Sequence, residues 1–324
     1  MRWVLPLFLA VLPLASYAEI TDAELRKLFI VTSDYPTEHQ YGGIVFFKGY
    51  FQRNKTACAY KRLHPETTVF VDQEGGTVVR LPDAAPPSPA QARGMAAGEF
   101  HRAVRDSAKK LKAACIDANL APVVEVSNDQ ARSYGGVPEE VVPIAKIFSE
   151  AMQAEGIKTV LKHFPGWNEH CKSLTQLDSI KLKVRPKTEA QQCSVRENER
   201  YQFQMKAQTF NKVPANAWMV GNNIIAELGP YPSNMNPVVR DLIRNHLSYK
   251  GLLISDALWE IEASPKAVLM ALKVVDWVML GTPAEAEDAL PLIRQGIKTG
   301  LFTEAEVREK LNRIDEFRET GTRL

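Results

Sequence analysis

Thr159-Val-Leu-Lys-His-Phe-Pro-Gly-Trp-Asn-Glu-His170 is the stretch that decides the fold. Thr159 to Leu161 is β-branched and apolar, the pattern of a strand. Lys162 and His163 end that strand, and Pro165 and Gly166 then open a loop. Alone, the pair reads equally well as a surface cation and a satisfied core imidazole. A buried strand that releases two polar groups at its C-terminal end is also how a parallel barrel builds a site. The other strand ends of the chain must choose between the two.

Seven further short apolar runs read as strands, over 29–32, 43–47, 67–71, 120–124, 217–220, 251–254 and 277–280. Helical patterns lie between them. Thr21 caps the first, which includes Leu25 and Leu28. Residues 51–63 read as a helix or a long connection, and the proline-dense run from Pro82 to Pro89 reads as a surface loop. Further helices are expected over 90–115, 139–154, 196–211, 237–247, 267–274, 284–297 and 303–318. The strands lack clean alternation, as expected where both faces are buried. Strand–helix alternation over this length predicts an α/β fold, a single-domain (β/α)8 TIM-type barrel over 19–324. An open doubly wound sheet would carry a glycine-rich phosphate turn after its first strand, and none is present.

The bounds agree with this. The chain has 324 residues and a net charge of +2, with no basic stripe for nucleic acid. Residues 1–18 have the form of a cleaved signal peptide. Arg2 is the positive region, Val4 to Leu14 the apolar core, and Ser16-Tyr-Ala18 the cleavage site. Pro6, Pro13 and the short apolar core argue against a retained anchor, so a periplasmic or secreted protein is expected, without stable membrane insertion and monomeric. Export favours disulfides among the four cysteines, which show no close metal-type pairs. Of three pairings, Cys171 with Cys193 is favoured because both flank one polar segment. That leaves Cys58 with Cys115 to tie two outer helices.

A barrel makes a test of the polar residues, which should follow the strands and not occupy their middles. Asp72 and Glu74 follow the third strand, and Glu125 and Arg132 the fourth. Asn222 and Asn223 follow the sixth, and Asp256 ends the seventh. Each alone is explicable as a cap or a solvated loop residue; together they define one face. The set lacks a serine elbow and a phosphate cradle, and no spacing in it suggests a metal. Carboxylates among cations and amides suit a poly-hydroxylated ligand. Glycoside hydrolysis needs a nucleophilic or basic carboxylate and a proton donor across the bond. Asp256, beside the small Ala257, is the candidate nucleophile; its competing role is a helix N-cap, which Ser255 would serve equally well.

Val71-Asp-Gln-Glu-Gly-Gly-Thr-Val-Val-Arg80, Leu120-Ala-Pro-Val-Val124, Arg132-Ser-Tyr-Gly135, Lys162-His-Phe-Pro-Gly166 and Gly251-Leu-Leu-Ile-Ser-Asp-Ala-Leu258 together resemble the successive motifs of glycoside hydrolase family 3. The similarity is to its single-domain bacterial β-N-acetylhexosaminidases and covers nearly the whole chain after residue 18. The resemblance implies a barrel and no cofactor. It implies a retaining reaction through a covalent glycosyl-enzyme on Asp256, with Asp72, Arg80, Arg132, Lys162 and His163 binding the sugar. The implied substrate is terminal N-acetylglucosamine, from peptidoglycan fragments or chito-oligosaccharides.

The sequence also departs from that pattern. Asp178-Ser-Ile180 stands where the family carries the Asp-Ser-His that holds its acid/base pair. Trp167 and Asn222 stand where histidines are common, and the loop is longer and carries Cys171. His170, with Asp178 as dyad partner, or Glu169 is then the candidate acid/base. A general acid or base contributes ~10²–10⁴-fold in rate. The alternative expectation is therefore a sugar- or muropeptide-binding protein of the same fold with impaired turnover, or a cell-wall protein whose pocket has decayed.

Overall fold

The apolar runs pair side by side into one sheet. The computed structural model describes residues 19–127, 131–166, 171–173, 191–193, 207–225 and 228–319. The strands are β1 (Phe29–Thr32), β2 (Gly43–Phe46), β3 (Thr68–Val71), β4 (Ala118–Asn119), β5 (Lys158–Phe164), β6 (Cys171–Ser173), β7 (Gln191–Cys193), β8 (Ala217–Val220), β9 (Ile224–Ile225), β10 (Leu252–Ser255) and β11 (Val278–Met279). Eight of them, in the order β10-β8-β5-β4-β3-β2-β1-β11, form a parallel sheet in which sequence neighbours are spatial neighbours. A parallel bridge between Ile254 and Trp277 brings its two ends together, and the Ser255 N–H donates to the Trp277 carbonyl at 2.9 Å. With helices on the outside, this is the nearly closed (β/α)8 barrel that the alternation predicts.

The strands are short and mostly apolar, because both faces are covered. β2, β3, β8 and β10 are buried at every residue. Phe70, Trp277 and Phe317 pack edge to face and stacked where helix Glu304–Glu319 covers the sheet. Cys58, at the start of helix Cys58–Leu63, is disulfide-bonded to Cys115, just past helix Ala97–Ala113.

Several elements differ from expectation for identifiable reasons. The fourth strand is Ala118–Asn119, not 120–124. Pro122 has no N–H to give, so the chain beyond Asn119 stays beside β5 through separate bonds. Val160 N–H donates to the Ala121 carbonyl at 3.2 Å and Val124 N–H to the Lys162 carbonyl at 3.0 Å. The expected helices over 51–63 and 90–115 are each two. Lys55, at φ 63°, separates Lys48–Asn54 from Cys58–Leu63, and Pro89–Gly94 precedes Ala97–Ala113. In the expected helix over 196–211, residues 207–212 are helical and 196–206 lie outside the described residues. β6, β7 and β9 form a small second sheet not foreseen as strands, in which Cys171 stands opposite Cys193. The side chains of β6 and β7, the two cysteines included, lie outside the described residues, as do residues 1–18.

At the N-terminal ends of the strands sits a buried ion cluster. Asp276 is fully buried just before β11. It accepts from Arg244 at 2.8 Å, from Arg313 at 2.9 Å and from the Leu253 N–H at 2.9 Å. Burial alone would raise its pKa, but Lys310 and the two arginines outweigh that and hold it low. Polar groups at this end of a barrel belong to stability. Asp276→Ala is expected to lower unfolding free energy by roughly 3–5 kcal/mol, because it strands buried cations. Urea unfolding measures this.

Candidate functional site

The segment after β3 is shaped before it can do chemistry. Asn119, inside β4 and fully buried, accepts from the Gln73 N–H at 3.0 Å and donates to its carbonyl at 2.9 Å. The Gln73 side chain in turn holds the backbone of Arg80 and Leu81. Between them the chain reverses at Gly75, whose φ of +92° and whose closeness to the Pro87 carbonyl, 2.6 Å from a Cβ at that position, both require glycine. The returning strand of this turn sets the Arg80 Nη2 on Asp72 Oδ2 at 2.8 Å. Asn119 is a polar residue within a strand, against the expectation that strand middles would be apolar; its amide replaces a backbone partner for the loop.

β5 supplies two consecutive pocket residues. Regular alternation would send Lys162 and His163 to opposite faces. The register against β8 shifts between Leu161 and Phe164, and such an irregularity re-aims side chains. The strand also runs to Phe164, so the pair lies within it and not at its end as the sequence suggests. The Lys162–His163 peptide is cis. The buried Lys162 ammonium bridges the Asp72 and Glu74 carboxylates, lying 2.6 Å from Glu74 Oε1. Arg132 grips Glu74 with two bonds of 2.9 and 2.7 Å.

At Glu74, Lys162 and His163 burial opposes the charge, and the partners outweigh it. Desolvation would raise Glu74, yet Lys162 and Arg132 hold its pKa down to about 2. Desolvation would lower Lys162, yet Asp72 and Glu74 raise it. His163 Nδ1 lies 2.9 Å from Glu125 Oε1. Burial would lower this imidazole, and the Glu125 and Asp256 carboxylates raise it above its ordinary value.

The opposite wall comes from β8 and β10. Asp256 directly follows β10, its N–H donating to the Val220 carbonyl at 2.8 Å and its Oδ1 accepting from the Ala257 N–H at 2.8 Å. A single 3-10 turn, Leu258–Glu260, follows. Asp72, Arg80, Arg132, Lys162, His163, Asn222, Asn223 and Asp256 all line one cavity of about 340 Å³ at the C-terminal ends of the strands. Glu74 and Glu125 brace these residues from behind. Buried Asn223 Nδ2 and Arg80 Nε have no partner among the described residues, as donors reserved for a ligand would.

Three pocket residues were not anticipated. Phe47 and Trp259 form an edge-to-face pair 6.2 Å apart at the rim, and Glu260 stands exposed at the mouth. Their only sequence signal is position just after a strand end. Trp167, Glu169, His170 and Asp178 lie outside the described residues.

Among known proteins, the model of the glycosyl hydrolase family 3 N-terminal domain matches residues 22–317. An uncharacterized secreted glycosyl hydrolase of Arthroderma benhamiae is 26% identical, over 92% of this chain and 89% of that protein. A beta-hexosaminidase of Shewanella frigidimarina is 25% identical, over 68% of this chain and 67% of its own. A glycosyl hydrolase of family 3 from Mycobacterium smegmatis shares the fold, with a TM-score of 0.77 and 23% identity over 93% of this chain and 97% of that one.

Removing the Lys162 ammonium leaves two buried carboxylates facing each other. Lys162→Met is expected to cost roughly 3–5 kcal/mol in urea unfolding, and adding Glu74→Gln to it should recover part of that loss. Glu74 also sets an acid response. Its folded pKa of about 2 lies below the ordinary 4.5, so its contribution is complete above pH 4.5 and is lost as pH falls toward about 2. Glu74→Gln should flatten the stability profile in that window, measured by unfolding at stepped pH.

Proposed function

The chain belongs to glycosyl hydrolase family 3, and from that membership we propose that it is an exported retaining glycosidase releasing terminal β-linked N-acetylglucosamine. That it is a glycosidase follows from the family and from relatives named beta-hexosaminidase. The observation that carries the finer reading is the placement of Asp256 in the same 340 Å³ cavity as the Asp72–Lys162–Arg80–Arg132 array. A carboxylate at the floor and a ring of charged donors and acceptors along one wall suit a sugar held by its hydroxyls.

In this reading Asp72 accepts from sugar hydroxyls, and Arg80, Arg132 and Lys162 donate to others through charge-assisted bonds. His163, whose imidazole burial lowers but Glu125 and Asp256 raise above its ordinary value, donates as well. The Asp256 carboxylate attacks the anomeric carbon, giving a glycosyl-enzyme that water hydrolyses with net retention. No cofactor enters the scheme, and the protein acts as one domain over 19–324 and as a monomer. The departing oxygen needs a proton, for which His170 with Asp178 is the donor that the sequence suggests.

Export rests on residues 1–18 and on a relative named as secreted. Among the described residues no helix is long and apolar enough to cross a membrane. An exported hexosaminidase meets peptidoglycan fragments or chito-oligosaccharides. A second reading, sugar binding without turnover, is favoured by Ile180 in place of the family's loop histidine.

The purified protein is expected to release 4-nitrophenol from its N-acetyl-β-glucosaminide, with the β-anomer formed first by proton NMR. Asp256→Asn should lower kcat by several orders of magnitude. No turnover, with heat released on adding N-acetylglucosamine, would instead support binding alone.

A further inference from the structure

We propose that Glu260 is the acid/base carboxyl of this pocket, aimed by the Asn222 amide at the bond that Asp256 opens. The inference rests on the hydrolase reading above and assigns the proton transfer which that reading leaves to the loop.

Three observations carry it. First, Asp256 and Glu260 line the same cavity, separated by one 3-10 turn that starts where β10 ends. The rigid barrel strand therefore positions both carboxyls. Second, the donor that addresses Glu260 has a fixed orientation. Asn234, fully buried, donates its Nδ2 to Asn222 Oδ1 at 2.7 Å. A backbone carbonyl only accepts, so the Asn222 end 3.0 Å from the Ala257 carbonyl is Nδ2, which also donates to Glu260 Oε2 at 3.3 Å. One Glu260 oxygen is so held. Third, Glu260 is exposed at the mouth, where leaving group and water pass, beside the Phe47–Trp259 pair.

The electrostatics agree with the geometry. Partial desolvation and the neighbouring Asp256 carboxylate raise Glu260, against the lowering effects of the Asn222 bond, His163 and Arg132. A carboxyl raised beside a second carboxylate is placed to keep the proton that an acid must give. The steps balance. As Asp256 Oδ bonds to the anomeric carbon, the bond from that carbon to the glycosidic oxygen breaks, and the Glu260 proton goes to the departing oxygen. A water then gives a proton to the Glu260 carboxylate while its oxygen bonds to the anomeric carbon, and the carbon–Asp256 bond breaks. Sugar and alcohol leave, and both carboxyls return to their starting states.

The test compares two N-acetyl-β-glucosaminides in the full protein. Phenol is a poor leaving group that needs a proton, whereas 2,4-dinitrophenol leaves without one. In Glu260→Gln, kcat/KM on the phenyl glycoside is expected to fall ~10²–10⁴-fold, with the dinitrophenyl glycoside cleaved within about tenfold of wild type. In Glu260→Ala, azide should restore turnover of the dinitrophenyl glycoside and yield the β-glycosyl azide, since azide attacks the glycosyl-enzyme without a base. Equal loss on both substrates with no azide product, or no loss on either, overturns the role. So does the same leaving-group signature in His170→Asn with Glu260→Gln unaffected. If wild type cleaves neither glycoside, the hydrolase reading itself falls, and that failure is visible before any variant is made.

Discussion

The pocket depends on one buried ammonium. Lys162 lies between the carboxylates of Asp72 and Glu74, each of which also carries an arginine. Removing two carboxylates and an ammonium from water costs several kcal/mol per ion, and only close, well-directed pairing offsets that. The arrangement is therefore weak as a source of stability and strong as a source of position. Asp72 cannot turn away without abandoning Lys162, and Lys162 cannot retract without leaving each acid to its arginine alone. A sugar arriving there meets groups whose reorganisation was completed during folding, which is the condition for electrostatic preorganisation.

The barrel separates two charged clusters by depth. At the N-terminal ends of the strands, Asp276 is satisfied by Arg244, Arg313, Lys310 and backbone, so its valences face the protein. At the C-terminal ends, the acids and bases pair along one wall but leave buried donors such as Asn223 Nδ2 without a protein partner among the described residues. The first pattern closes a core and the second waits for a ligand. Both use the same chemistry, and place tells them apart, since only the second opens on the cavity that Asp256 lines.

Much of this was legible in the chain itself. Eight apolar runs spaced by helical patterns specify the barrel, and the polar residues following them specify the face, because a parallel strand buried on both sides can hold few polar groups except near its exit. What escaped was local. The end of the fourth strand was misplaced because Leu120-Ala-Pro-Val-Val124 is apolar enough for a ladder that Pro122 interrupts. Asn119 hides in a strand because its amide imitates a backbone. Lys162 and His163 share a pocket only through a register shift that no residue pattern announces. Glu260 carries no sequence signal of its own; its neighbour Asn222 lies 38 positions away in sequence, and only folding brings the amide to it.

The central claim is that Asp256 is the atom donor at the floor of a sugar pocket. Its most direct test is intact-protein mass spectrometry after exposure to a 5-fluoro N-acetyl-β-glucosaminyl fluoride, which slows breakdown of a glycosyl-enzyme. The account predicts a single added glycosyl unit, mapped by peptide fragmentation to Asp256. A label on another carboxylate, or fluoride release with inversion and no label, would contradict it.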